Sequence, residues 1–112
     1  MDATHREFVT LLNEMESVPK GELGAYFDRL LAHTQIHFET EKTTMIESGF
    51  GSRREHEDDH NRVLAEMMQM QRFAGRGMEK IARSYVRDKL PDWFATHAAS
   101  MDTALALHLH RK

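Results

Sequence analysis

Residues 37–60 read HFETEKTTMIESGFGSRREHEDDH, and this stretch decides the fold. It opens on His37 and Glu41, four residues apart, and closes on His56 and His60 at the same spacing. Residues four apart on an α-helix share one face, so each pair can reach a common point. Between the pairs, Gly49-Phe50-Gly51 interrupts the helical pattern. The stretch therefore predicts two helices that meet at a tight turn, each carrying metal-competent side chains close to it.

Working outward, the rest of the chain is also helical. β-branched residues are sparse and no segment alternates apolar and polar residues for a full strand. A first helix is predicted over 3–17, with Asp2 as its N-cap and Phe8, Leu11, Leu12 and Met15 as its apolar stripe. Pro19 and Gly21 end it. The second helix is predicted over 20–47, with Leu23, Phe27, Leu30, Leu31 and Phe38 inward. Ser52 and Glu55 have the spacing of a capping box, which starts a third helix reaching Phe73. Gly75 and Gly77 break the chain again. In the last segment, 78–112, Leu90 precedes Pro91 and is expected outside the right-handed helical region. That predicts a kink there, or a helix over 78–89 followed by one starting at Pro91. Four helices with short connections predict an all-α, up-down-up-down antiparallel four-helix bundle, its last segment kinked or broken near Pro91. All 112 residues are expected to form one domain.

Composition excludes several classes of function. There is no cysteine, which removes disulfides, thiolate metal sites, iron–sulfur clusters and cysteine nucleophiles. The net charge is −3 and no dense Lys/Arg patch exists, so nucleic acid is not an expected partner. No apolar run approaches the roughly 18 residues of a membrane span. The polar stretch Met1–Glu7 has no apolar core of a signal peptide, so a cytoplasmic location is expected.

The polar residues at core positions carry the chemistry. Besides the two pairs, His5 lies on the first helix, and His97 and Asp102 lie on the last. In an antiparallel bundle, height counts up one helix and down the next. The start of helix one, the later part of helix two, the early part of helix three and the later part of the last helix all fall at one end. Five imidazoles and two carboxylates thus meet at one level. Imidazole suits iron, zinc, copper and nickel. Seven ligands are too many for one ion, whereas two ions sharing two bridging carboxylates fit. His97 and Asp102 are five residues apart, about 500° round an ideal helix, and so do not share a face. A locally widened helix, for instance a π-bulge, would bring them together.

These residues resemble the hemerythrins, in particular the short bacterial single-domain type, over nearly the whole chain. The matching elements are Asp2-x-x-His5-x-x-Phe8; His37-Phe38-x-x-Glu41; His56-x-x-x-His60 after a Gly-Phe-Gly turn; and Trp93-x-x-x-His97 followed by Asp102. The resemblance implies two iron ions with a bridging oxo or hydroxo group. One iron would take His56, His60 and His97, the other His5 and His37, with Glu41 and Asp102 bridging. An open position on the second iron would bind dioxygen or another small diatomic ligand. Phe8, Phe38, Trp93 and Ala98 stand at the positions of the family's apolar ligand pocket. Ala98 is smaller than the usual aliphatic residue there, which implies a more open pocket and faster autoxidation. Lys42 stands where many members have a second glutamate. The resemblance implies an oxygen-binding protein (carrier, store, sensor or scavenger) rather than an enzyme. The alternatives are a diiron enzyme reducing peroxide or nitric oxide, an iron- or oxygen-sensing binding module, or a site filled by zinc or manganese.

Other features read more plainly. Met45, Met67, Met68, Met70, Met78 and Met101 are expected as core filler. The charged run from Arg53 to Asp59 is expected as a solvated face around His56 and His60. His33, one turn before His37 on the same stripe, is expected to be a partly exposed or hydrogen-bonded histidine, the alternative being a competing ligand or a residue backing the ligands. His108 and His110 are expected in solvent.

Overall fold

The computed structural model describes residues 2–111, and for Asp2 the backbone alone; the side-chain cap expected of Asp2 lies outside what is described. Helix α1 spans Asp2–Glu16, α2 Leu23–Ser48 and α3 Arg53–Gly75. A fourth helical rod, α4, occupies 79–110. The described residues contain no strand. The bundle is an elongated body of 48 × 21 × 19 Å.

Contacts between ends set the up-down-up-down order. The Gly21 N–H, before α2, donates to Glu79 Oε2 at the start of α4 (2.9 Å). Arg83 donates to the carbonyls of Met15 and Glu16 at the end of α1. Opposite this end, His108 Nε2–H, near the end of α4, donates to the Ser48 carbonyl at the end of α2 (2.9 Å). His108 is therefore half-buried and satisfies a helix-terminal carbonyl that has no partner within its own helix. It is not in solvent as expected, whereas His110 is.

Turn chemistry adjusts the predicted boundaries. Helix α2 begins at Leu23 rather than Lys20, because Glu22 N–H closes a turn onto Pro19 and Gly21 adopts φ +95°, outside the helical region. At the other end of α2, Gly49 takes φ +69°, and the Phe50 N–H returns to Met45 (3.0 Å). Ser52 makes no side-chain cap bond. Its ψ of 23° belongs to a turn, not to the extended backbone from which a cap hydroxyl reaches forward, so the capping box does not form.

The rod α4 is broken near Pro91, but not by Leu90. Leu90 keeps helical angles (φ −64°, ψ −42°). The helix widens just before it, over Tyr85–Lys89, where the Leu90 N–H reaches back five residues to Tyr85. A five-residue turn shifts the hydrogen-bond ladder locally, which lets the rod continue past a residue with no N–H. A second wide turn covers Ala98–Asp102, with the Thr103 N–H and Oγ1 both donating to the Ala98 carbonyl.

The half of the bundle around Met15, Leu23, Phe27, Leu30, Val63, Met67, Val86 and Leu90 is a closed apolar core. Complete burial of each such side chain contributes about 1.5–3 kcal/mol. This core anchors the four rods, and the polar cluster occupies the opposite half. Met45 and Met67 are core residues, but Met68 and Met78 are exposed, so they do not fill the core as expected. Met78 sits in the turn ahead of α4, outside the packed helix faces.

Candidate metal centre

Four rods deliver His5 (α1), His37 and Glu41 (α2), His56 and His60 (α3), and His97 and Asp102 (α4) to one level. The last two meet because the wide turn at Ala98–Asp102 closes the five-residue step between them. His97 Nε2 lies 3.2 Å from Asp102 Oδ1. Glu41, His56, His60, His97 and Asp102 are all buried, with His56 only 1% exposed.

The two carboxylates divide their oxygens. Glu41 Oε1 lies 2.9 Å from His56 Nε2 and 3.5 Å from His60 Nε2, while Glu41 Oε2 lies 2.6 Å from His37 Nε2. Asp102 Oδ1 lies 3.3 Å from His56 Nε2 and 3.2 Å from His97 Nε2, while Asp102 Oδ2 lies 3.2 Å from His5 Nε2. One group therefore holds three Nε2 atoms and one oxygen of each carboxylate. The other holds two Nε2 atoms and the remaining oxygens.

The arrangement is poorly suited to internal hydrogen bonding. His60 Nε2 and His97 Nε2 lie 3.1 Å apart. Two imidazole nitrogens that close, on rings turned 48° to each other, sit as neighbouring ligands of one ion do. Glu41 Oε2, Asp102 Oδ1 and His5 Nε2 each have neighbours at ion-pair distance, yet none has a hydrogen-bond partner. Their close neighbours stand beside them rather than along a donor–acceptor line. Buried polar atoms left this way cost free energy that a shared cation would recover. Five imidazoles and two carboxylates suit iron or zinc.

Burial and neighbours shift the titrations strongly. Burial pushes the Glu41 carboxyl up, but the imidazoles of His37 and His56 beside its two oxygens outweigh it and hold it at about 2. Burial also pushes Asp102 up, and His56 and His97 outweigh it, so Asp102 stays below the usual carboxylate range. Burial pulls His56 down, yet the neighbouring carboxylates of Asp102 and Glu41 raise it to about 9. His60 follows burial and falls to about 3. In the metal-free cluster, a proton on His56 thus balances charge that a cation would otherwise balance.

Asp59 was expected on a solvated face and is instead turned inward, 16% exposed. Its Oδ2 accepts from His97 Nδ1–H (2.8 Å) and from Trp93 Nε1–H (2.9 Å), and its Oδ1 accepts from Arg62 (2.7 Å). Burial raises the Asp59 carboxyl, and Arg62, His97 and Trp93 together bring it below its ordinary value. An ionised carboxylate can only accept, so the hydrogen of His97 sits on Nδ1 and Nε2 presents its lone pair to the cluster. The signal in the sequence was position: Asp59 lies between two inward histidines, three residues past His56. His56 Nδ1, by contrast, is buried without a partner. Replacing Asp59 with alanine is expected to weaken metal binding about 10–100-fold. Competition against a calibrated chelator measures the loss, and ¹⁵N shifts of His97 should show its Nε2–H tautomer becoming populated.

Beside His5 and His37 lies a cavity of about 20 Å³. A water molecule needs roughly 10–15 Å³ on this measure, so the space suits a molecule of two heavy atoms. Its walls include Phe8, Phe38, Trp93 and Phe94. Phe94 packs tilted against Phe8 (4.8 Å between ring centres) and stands edge-on to His5 (5.2 Å). Ala98, expected as a wall, does not line the cavity. It begins the wide turn past His97, and Phe94, absent from the expected pocket, is among the lining residues. Lys42 reaches outward toward Glu57 (3.8 Å).

Comparison with known proteins agrees with this geometry. The family model described as hemerythrin HHE cation binding domain matches residues 1–107. A bacteriohemerythrin of Ralstonia nicotianae is 32% identical over 111 residues, covering 99% of this chain and 80% of its own. A bacteriohemerythrin of Methylococcus capsulatus is 21% identical over 105 residues, covering 90% and 79%. No solved structure matches with significance.

Proposed function

The chain belongs to the hemerythrin family, and on that premise we propose that it holds two iron ions and binds dioxygen, or a similar small diatomic molecule, beside one of them. His56, His60 and His97 would hold one iron and His5 and His37 the other, with Glu41 and Asp102 shared. The observation that carries this reading is the division of the two carboxylates, each with one oxygen toward the three-histidine group and one toward the two-histidine group. A carboxylate used this way spans two cations and neutralises part of the charge of both. When bound, the irons would supply the electrons and the affinity for dioxygen.

The chain's own residues set the surroundings. The cavity lies on the two-histidine side, where His5 and His37 leave more room for a guest than three imidazoles would. Its aromatic walls limit entry of water and protons, which protects an oxygenated centre against irreversible oxidation. Because Phe94 lines the cavity and Ala98 does not, removal of Phe94 would expose the guest more than any change at Ala98.

The test is anaerobic reconstitution with Fe²⁺, followed by air and then by deoxygenation. The expected result is two irons per chain and a visible absorption band that rises in air and falls when oxygen is removed. Conversion to an inert ferric form within seconds would overturn reversible binding. Sustained consumption of peroxide or nitric oxide with an electron donor would make the protein an enzyme instead.

A further inference from the structure

His33 lies between the cavity beside His5 and His37 and a groove on the surface. The cavity beside His5 and His37 is lined in part by His33. A groove between α1 and α2, formed by Ala3, Arg6, Glu7, Thr10 and neighbours, is also lined by His33. Among the described residues, no other residue lines both spaces. On the groove side, Glu7 Oε2 accepts from His33 Nε2–H at 3.1 Å. On the other ring nitrogen, Nδ1 is buried and has no partner.

We infer that the His33 ring is the port of this cavity, latched shut by Glu7, through which small neutral molecules pass between the groove and the candidate metal centre. Two features make the ring a door rather than a fixed wall. The latch is weak, because Glu7 is 66% exposed and His33 24%, and exposed ion pairs hold little free energy. The shut position also leaves Nδ1 without a hydrogen bond, and a ring swung into the groove would gain one from water. Losing the bond to Glu7 is thereby largely offset, so the two positions lie close in free energy. Rotamer changes of such partly exposed side chains are fast, on the order of nanoseconds. The neighbouring Thr34 is not a rival gate: it is buried, and its hydroxyl already donates to the Leu30 carbonyl (2.7 Å).

The inference rests on the reading of the cavity as the place where a guest sits, but its test requires no iron and no reaction. Trp93 is the single tryptophan, is half-buried and lines the cavity, so the part of its quenching by dioxygen that changes without a change in acrylamide quenching reports access. The measurement uses the zinc-loaded protein, because zinc is redox-inert, with metal-stripped protein beside it. Dioxygen is uncharged, so loss of the Glu7 charge does not itself alter the encounter. Glu7→Ala is expected to raise the quenching rate constant by up to about twofold, because an exposed contact holds little free energy and the ring is already open part of the time. His33→Ala should raise it further, and Glu7→Ala should add nothing in that background. Quenching by acrylamide, too large for the cavity, should stay unchanged. The port is overturned if dioxygen quenching is unaffected by both changes. It is equally overturned if Glu7→Ala adds its full effect to His33→Ala, or if acrylamide quenching rises in step. A chain that binds no iron but shows the expected pattern would remove the proposed function and leave the port standing.

Discussion

Replacing Glu41 with alanine is expected to leave the chain with at most one iron, where two are expected in the unaltered protein. Glu41, like Asp102, presents one oxygen to each group of potential ligands, and it alone joins both the buried Glu41–His56–His60–His97 group and the His5–His37–Glu41 group among the described residues. Its removal subtracts an oxygen from each site at once. It also removes a negative charge at a position that is 4% exposed. On the proposed reading, two ferric ions with an oxo bridge and two carboxylates would leave two net positive charges to bury, and with one carboxylate three. Buried charge without a counter-ion costs several kcal/mol, comparable with the whole stability of a small domain. Glu41→Gln separates the two causes, since it keeps the shape but replaces one oxygen by an NH₂ that cannot ligate. It should also fail to hold two ions. Iron per chain, measured after desalting, decides the matter. Two irons retained in Glu41→Ala would refute the shared role of this carboxylate.

The contrast between Glu41 and Asp102 shows what could be read from sequence. Glu41 and its partner His37 are four residues apart, so helical periodicity alone places them together, and the same holds for His56 and His60. Counting along antiparallel helices brought His5 and His97 to their height. Asp102 could not be placed this way, because five residues on an ideal helix point in different directions. The structure resolves this with the wide turn at Ala98–Asp102. Such a turn costs poorer hydrogen-bond geometry and has no compositional mark; the stretch AASMD reads as ordinary helix. Asp59 was hidden for a different reason. Within a run of charges, one inward carboxylate looks like its solvated neighbours, and its partners Trp93 and His97 lie 34 and 38 residues away. Ala98 shows the limit of carrying a pocket over by position. The widened helix begins at that residue, and the cavity is lined instead by Phe94, one turn earlier, among others.

Removing the metal is expected to change the pH of maximum stability, because one proton occupies the cluster in its place. His56, raised from 6.5 to about 9, contributes stability that is complete below 6.5 and is lost as pH rises through 9. Glu41, lowered from 4.5 to about 2, contributes stability that is present above 4.5 and lost as pH falls toward 2. His60, lowered from 6.5 to about 3, is held neutral. Between these values the unfolded chain binds the proton that the folded chain refuses, so acid destabilises the fold in that window. The metal-free protein should therefore be most stable near pH 6.5, weakening on both sides. Metal reverses the alkaline limb. A cation takes the Nε2 lone pair of His56 and expels its proton, so between pH 7 and 9 apparent affinity should rise about tenfold per unit, or about a hundredfold overall. Tighter binding adds stability in proportion to the logarithm of that affinity. Thermal unfolding of stripped and zinc-loaded protein across pH 4–10 checks this, with the loaded optimum displaced toward pH 9. Coincident optima would mean that His56 does not exchange its proton for the metal, and would remove it from the three-histidine set.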